Sequence, residues 1–350
     1  MSTTYVKSWK APIAFAIFTL IALALVVFVP RDGETVYRWS RESDAIQVPD
    51  LVVSALSTSW LVVAVLAVAT LYSVLLVRSE RRVPLWLIVV FAIVFMFGFL
   101  TWAGAGADLP MIGLLYGSLS LAVPLIYGSL AGVIGERAGV VNIAIEGQLL
   151  AGAFTAAVVA SITGNPWPGL IAAMVAGLLV GMVLAVFSIK YYVDQIIVGV
   201  VLNVLVIGLT SFFYSQVLAP NAAALNTPPR FDRLYLPILS EIPVIGPVLF
   251  RHTIVVYIMY IAVALVYVGL FHTRWGLRVR AVGEHPQAAD TVGINVNRTR
   301  FWNVAFAGAL AGLGGTFFTI GSGIAFNREM TAGAGFIALA AVIFGQWDPI

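Results

Sequence analysis

Apolar residues in this chain come in long, unbroken blocks separated by short polar connections. Ten blocks stand out, at about 11–29, 51–77, 84–102, 111–134, 140–162, 168–188, 194–218, 253–271, 300–321 and 332–347. None alternates polar and apolar residues as a membrane-spanning strand would. About 20 apolar residues in a helix cross the hydrocarbon core, and in lipid a helix satisfies its own backbone. The pattern predicts an all-α, polytopic transmembrane helical bundle. Its first block, Ala11–Val29, follows Lys10 and ends Val29-Pro30-Arg31. A cleaved signal segment is shorter and ends in small residues, so this block is expected to stay as a membrane helix.

Two connections are long. Pro220–His252 contains Pro228, Pro229, Pro237, Pro243 and Pro247 and is expected to form a structured cap outside the membrane. His272–Thr299 is the most polar part of the second half. Glycine-rich, polar-spotted blocks begin only near Met111. This divides the chain into an N-terminal extension, 1–110, with three transmembrane helices, and a core, 111–350. The last block runs straight into Trp347-Asp348-Pro349-Ile350 with no polar tail, and the core is therefore expected to be truncated at its C-terminus.

Composition excludes a soluble fold. Hydrophobic residues make up 61% of the 350 and charged residues 10%, against about 25% charged in an ordinary domain; the mean hydropathy is +1.01. With no cysteine, disulfides and thiolate sites are excluded. The net charge of +3 does not point to nucleic acid, because the basic residues sit in the connections between blocks. With the N-terminus inside, twelve of the 19 basic residues, from Lys7 and Lys10 to Arg298 and Arg300, fall on inner connections. That excess predicts a multi-pass protein of the cell membrane with a cytoplasmic N-terminus.

Polar groups inside the blocks are the candidate chemistry. In the fifth block Asn142 and Glu146 are four apart, which on a helix puts them on one face. A carboxylate within a membrane segment costs about 2.5–3.5 kcal/mol, so Glu146 should face a cavity, the bundle interior or a partner such as Arg137. Asn142, Glu146 and Gln148 line a solute path or hold a broken helix in place; the residues alone leave both readings open. Gly139 and Gly147 are the candidate break points. In the seventh block Gln195, Gly199 and Asn203 recur every four residues, and Gly128/Gly132, Gly177/Gly181 and Gly308/Gly312 have the spacing of close helix packing.

In the long inner connection, Pro286 suits the first turn of a helix and Gly293 its exit, predicting a short helix over Pro286–Val292 with Ala288, Ala289 and Val292 on one side. A small-faced helix on a basic stalk suits docking; a loop folded on its own membrane domain is the other reading. No Gly-rich phosphate loop is present, since the only lysines are Lys7, Lys10 and Lys190. No catalytic triad or metal-ligand spacing appears either. The chain is expected to be no enzyme in its own right.

The stretch Glu136-Arg-Ala-Gly-Val-Val-Asn-Ile-Ala-Ile-Glu146-Gly-Gln-Leu-Leu-Ala-Gly-Ala-Phe154 resembles the signature of ABC-importer permeases for sugars, branched-chain amino acids and nucleosides. Trp275-Gly-Leu-Arg-Val-Arg-Ala-Val-Gly-Glu-His-Pro-Gln-Ala-Ala-Asp-Thr-Val-Gly-Ile294 resembles their cytoplasmic coupling loop. The resemblance covers about 111–350. Lys190–Asn203 and Gly345–Pro349 look most like the nucleoside and simple-sugar branch. It implies a permease working by alternating access beside a second, similar permease, an ABC ATPase subunit that binds ATP and Mg, and an extracytoplasmic solute-binding protein. In that setting the expected pathway residues are Asn142, Glu146, Gln148 and Asn203. The expected coupling residues are Gly283, Glu284, Pro286, Ala288, Ala289, Asp290 and Gly293. The alternatives are an ion- or proton-coupled secondary transporter, in which Glu146 or Asp194 holds the coupling ion, and a non-transporting membrane scaffold.

Overall fold

The computed structural model describes residues 8–41, 44 and 46–349; Lys7 and Ile350, used in the sequence reading, lie outside them. Contacts divide the chain into two units, Met1–Tyr116 with Glu241–Val248, and Gly117–Ser240 with Leu249–Ile350. Nine helices among the described residues are long and apolar enough to cross a membrane.

The first unit holds α1 (Lys10–Phe28), β1 (Glu34–Arg38), β2 (Leu51–Ser54), α2 (Ala55–Arg78), α3 (Leu85–Ala103) and β3 (Asp108–Pro110). Its helices are apolar on every side, as lipid-facing spans are. Only 17% of the apolar window of α1 is buried. What they do bury is aromatic: Phe15 stacks on Phe91 at 3.9 Å between ring centres, with Val62, Leu66 and Leu87 around them. The sheet, in order β2-β1-β3, was not predicted. It turns Thr35 and Tyr37 of β1 onto the end of α3, where Thr35 Oγ1 donates to the Thr101 carbonyl at 2.9 Å and the Tyr37 and Thr101 hydroxyls meet at 2.6 Å. Arg38 pairs with Asp108 across β1 and β3. The second apolar block is thus a strand up to Ser54 and a helix only from Ala55.

The long α4 (Met111–Arg137) begins in the first unit and ends in the second. The second unit continues with α5 (Ile145–Thr163), α6 (Pro166–Ala185) and α7 (Gln195–Phe213), the last two each closed by a π turn, Val186–Lys190 and Tyr214–Leu218. In the 220–252 connection short α8 (Ala222–Leu225), β4 (Arg233–Tyr235) and β5 (Arg251–Thr253) belong to this unit, with β4 and β5 antiparallel, while α9 (Ile245–Leu249) falls in the first unit up to Val248. Then come α10 (Ile254–His272), α11 (Arg274–Glu284), α12 (Pro286–Thr291), α13 (Val296–Gly315) and α14 (Ala334–Phe344).

The core of this unit is α5, α6 and α13. The apolar windows of α5 and α13 are 67% and 72% buried, the highest of the nine spans. Glycine makes that approach possible. A Cβ on Gly177 would collide with the Gly308 carbonyl, and one on Gly308 with the Gly177 carbonyl. The glycine pairs of α6 and α13 therefore face each other backbone to backbone, as close helix packing in lipid requires.

The tenth block does not span. α14 has 11 residues, or about 16 Å of helix, roughly half the hydrocarbon core. Turns over 319–333 bring the chain back from the end of α13 to its start. It lies along α4: a Cβ on Gly128 would be 2.7 Å from Ala338 Cβ, one on Gly132 would be 2.8 Å from Val342 Cγ2, and Ser129 Oγ donates to the Ala338 carbonyl at 3.0 Å.

Candidate functional site

The expected pathway residues meet around a break between α4 and α5. Gly139 has φ +85°, a conformation that suits glycine and ends α4. Val140–Ala144 is not helical, and α5 starts at Ile145. Asn142 therefore does not share a helix face with Glu146, correcting the four-residue spacing argument. Gly147 is no break point either: it lies inside α5. The Ile145 side chain lies 3.1 Å from where a Cβ of Gly128 would be, so α5 begins more than a turn short of the end of α4.

Between the Val140 amide, which donates to the Gly135 carbonyl, and the Ala144 carbonyl, which accepts from the Gln148 amide, the broken stretch takes partners from side chains. Asn142 Nδ2 donates to Gln148 Oε1 at 2.9 Å, and Gln148 Nε2 returns a bond to Asn142 Oδ1 at 3.3 Å. Asn203 Nδ2 donates to the Ile143 carbonyl at 2.9 Å while its Oδ1 accepts from the Gly147 amide at 2.8 Å. Gln195 Oε1 accepts from the Val141 amide at 3.0 Å. A Cβ on Gly199 would lie 2.9 Å from Ile143 Cβ. The four-residue stripe of α7 is thus the surface that holds Val141–Gly147. Asp194 caps α7, accepting from the Ile196 amide at 2.8 Å.

Glu146 is 5% exposed. Its partner is not Arg137 but the start of α14. Oε1 accepts from Thr331 Oγ1 at 2.5 Å and the Gly333 amide at 3.0 Å, and Oε2 from the Gly335 amide at 2.7 Å. A Cβ on Gly335 would collide with the Glu146 amide nitrogen. The amides at the N-terminus of α14 point at this carboxylate, the placement that a negative charge favours. Arg137 instead donates to the Trp347 carbonyl at 3.1 Å, and Glu136 accepts from Trp347 Nε1. Thr331, Gly333 and Gly335 escaped the sequence reading; their one signal was the small-residue run Ala332–Gly335.

The expected coupling loop forms two helices. α12 runs Pro286–Thr291 with Pro286 in its first turn, and Gly293 leaves at φ +83°. α11 precedes it, with Thr273 Oγ1 capping the Gly276 amide at 3.2 Å. Ala288, Ala289 and Val292 do not share one side: Ala289 is buried, while Ala288 and Val292 face out with Glu284 and Asp290. Gly283 belongs to the seat of the loop, since a Cβ there would collide with the Arg137 carbonyl. Arg300 of α13, also unpredicted, fastens that seat: Nε donates to the Ala138 carbonyl at 3.2 Å and an Nη to the Val282 carbonyl at 3.4 Å. One short stretch, Arg137–Gly139, therefore touches the coupling loop on one side and runs into the broken helix on the other.

The family model described as branched-chain amino acid transport system / permease component matches 114–350. The guanosine ABC transporter permease protein NupQ of Bacillus subtilis (strain 168) is 40% identical over 242 residues, 67% of this chain and 75% of that one. The nucleoside ABC transporter permease protein NupC of Lactococcus lactis subsp. cremoris (strain MG1363) is 39% identical over 243 residues, 66% of this chain and 75% of that one. The putative glucose ABC transporter permease protein TsgC13 of Haloferax volcanii is 35% identical over 241 residues, 68% and 71% of the two chains. No solved structure matches. These relatives favour the importer over the ion-coupled alternative. The chain belongs to the branched-chain amino acid transport system permease family, and it is a membrane-embedded permease subunit of an ABC importer, a transport component of a system with ATPase and solute-binding parts.

Proposed function

We propose that this permease carries nucleosides or simple sugars into the cell by alternating access. The likeness to the guanosine and nucleoside permeases, at 40% and 39% identity, carries that choice of solute. In this reading the N-terminus is cytoplasmic and a second, similar permease completes the path. An extracytoplasmic binding protein delivers the solute, and a partner ATPase binds ATP and Mg. The outward-facing residues of α12 and its flanks, Glu284, Pro286, Ala288, Asp290 and Gly293, meet the ATPase, with Gly283 and Ala289 holding the loop from beneath. Asn142, Gln148, Glu146 and Asn203 act at the path by fixing the broken helix that borders it. What supports this is that a discontinuous helix and a half-helix meet there, an arrangement that membrane transporters use beside their solute.

The test has two parts. The tagged full chain, extracted in mild detergent, is expected to bring an ATPase with it and to lose it when Glu284–Ile294 is replaced by a Gly/Ser linker. Cells making the intact system are expected to accumulate labelled guanosine in competition with other nucleosides. An ATPase retained by the linker variant would refute the docking site; competition by leucine but not by nucleosides or glucose would refute the solute class.

A further inference from the structure

α6 and α13 both reach the membrane face that carries α11 and α12, the first by its end and the second by its start. Between the π turn closing α6 and the first turns of α13 lies a groove of about 410 Å³. Its walls are apolar, from Ala185, Ile189 and Phe301, and its rim carries Lys190 and Arg298. Neither cation has a carboxylate within ion-pair distance among the described residues. Asp194, nearby in sequence, is occupied with the amides of Ile196 and Ile197. The start of α13 adds its own positive end on the same side.

Trp302 is a wall of this groove and also of a second, of about 530 Å³, between α10 and α13. Apart from Thr273 and Asn303 the second groove is apolar, lined by Leu265, Val266, Phe306 and a second tryptophan, Trp275. Tryptophans gather where lipid meets water. Two cations without a carboxylate partner, Lys190 resting over the Tyr191 ring at 5.8 Å, beside two apolar grooves that share one wall, select a ligand anionic at one end and apolar at the other. Basic pockets between membrane helices hold anionic headgroups in this way.

We propose that these grooves bind an anionic glycerophospholipid, with its phosphate between Lys190 and Arg298 and its acyl chains on the two sides of Trp302. The solute path plays no part in it. The lipid sits against α13, the helix whose Arg300 seats the coupling loop, and is a fixed component of the membrane face on which that loop stands.

The test is native mass spectrometry of the full chain, delipidated in detergent and titrated with phosphatidylglycerol. Saturable binding of one lipid is expected, at least tenfold tighter than that of phosphatidylcholine. The double variant Lys190→Gln, Arg298→Gln is expected to weaken it about thirtyfold, from roughly a kilocalorie per mole for each cation. The charge-preserving exchange Lys190→Arg, Arg298→Lys is expected to keep it, which separates lost charge from a misfolded rim. Equal binding of the two lipids, or unchanged binding by the neutral double variant, would overturn the proposal. So would displacement of phosphatidylglycerol by equimolar inorganic phosphate, which would assign the cations to a free anion.

Discussion

Glu146 is the buried charge on which the start of α5 and the start of α14 meet. Its position in an apolar block marked it as a group that needed company, and that was legible from the cost of a charge in lipid. Its partners were not, because they lie 185 to 189 residues further along and carry no local pattern beyond four small residues. Three donors to one buried carboxylate make it a staple between α5 and α14. Glu146→Gln replaces one accepting oxygen by a donor aimed at other donors. We expect a loss of roughly 2–3 kcal/mol, read as earlier thermal unfolding of the detergent-solubilised protein. Uptake should fall with it. A normal melting curve with lost uptake would instead place the carboxylate in direct contact with solute. Asn203→Leu tests the other end of the same knot. It leaves the Gly147 amide and the Ile143 carbonyl without partners, and each buried orphan costs about 1–3 kcal/mol. Melting of that variant should also come earlier.

Elements divide into those a pattern could find and those it could not. The nine spanning helices follow from run length and apolar content, since lipid leaves a long apolar block few other structures to adopt. The close packing of α6 and α13 was likewise written in the four-residue glycine spacing. The half-helix α14 and the non-helical Val140–Ala144 were hidden, because an apolar run looks the same whether it spans or turns back midway. The sheet of β1, β2 and β3 was hidden for a related reason: Leu51–Ser54 is apolar and adjoins a helix, so periodicity merged the two. The glycine contact gives a sharp test at this scale. Gly308→Val forces a side chain into the Gly177 carbonyl and should cost at least 1–3 kcal/mol, seen as lost monodisperse protein in fluorescence-detected size exclusion. Gly208→Ala, where nothing lies within 4 Å of the added atom, should elute as the parent does.

At the scale of the molecule, what matters is that two features read separately in the sequence turn out to share a joint. The coupling loop and the broken helix are about 140 residues apart, yet both engage Arg137–Gly139, the first through Gly283 and Arg300 and the second by direct continuation of the chain. In the proposed mechanism a push on α12 by the partner ATPase would reach the Asn142–Gln148 pair through this packed backbone. Packed interfaces of this kind transmit displacement because they do not deform continuously. The joint can be loosened without touching the outward surface of α12. Arg300→Gln removes the charged clamp that holds Ala138 to Val282. The ATPase should still co-purify with this variant, and ATP hydrolysis should persist, but nucleoside uptake should fall several-fold relative to hydrolysis. Replacing the α12 surface itself should instead abolish co-purification. If Arg300→Gln lost the ATPase as completely as the linker replacement does, the joint would be no more than part of the docking surface, and the broken helix would have to receive its signal by another route.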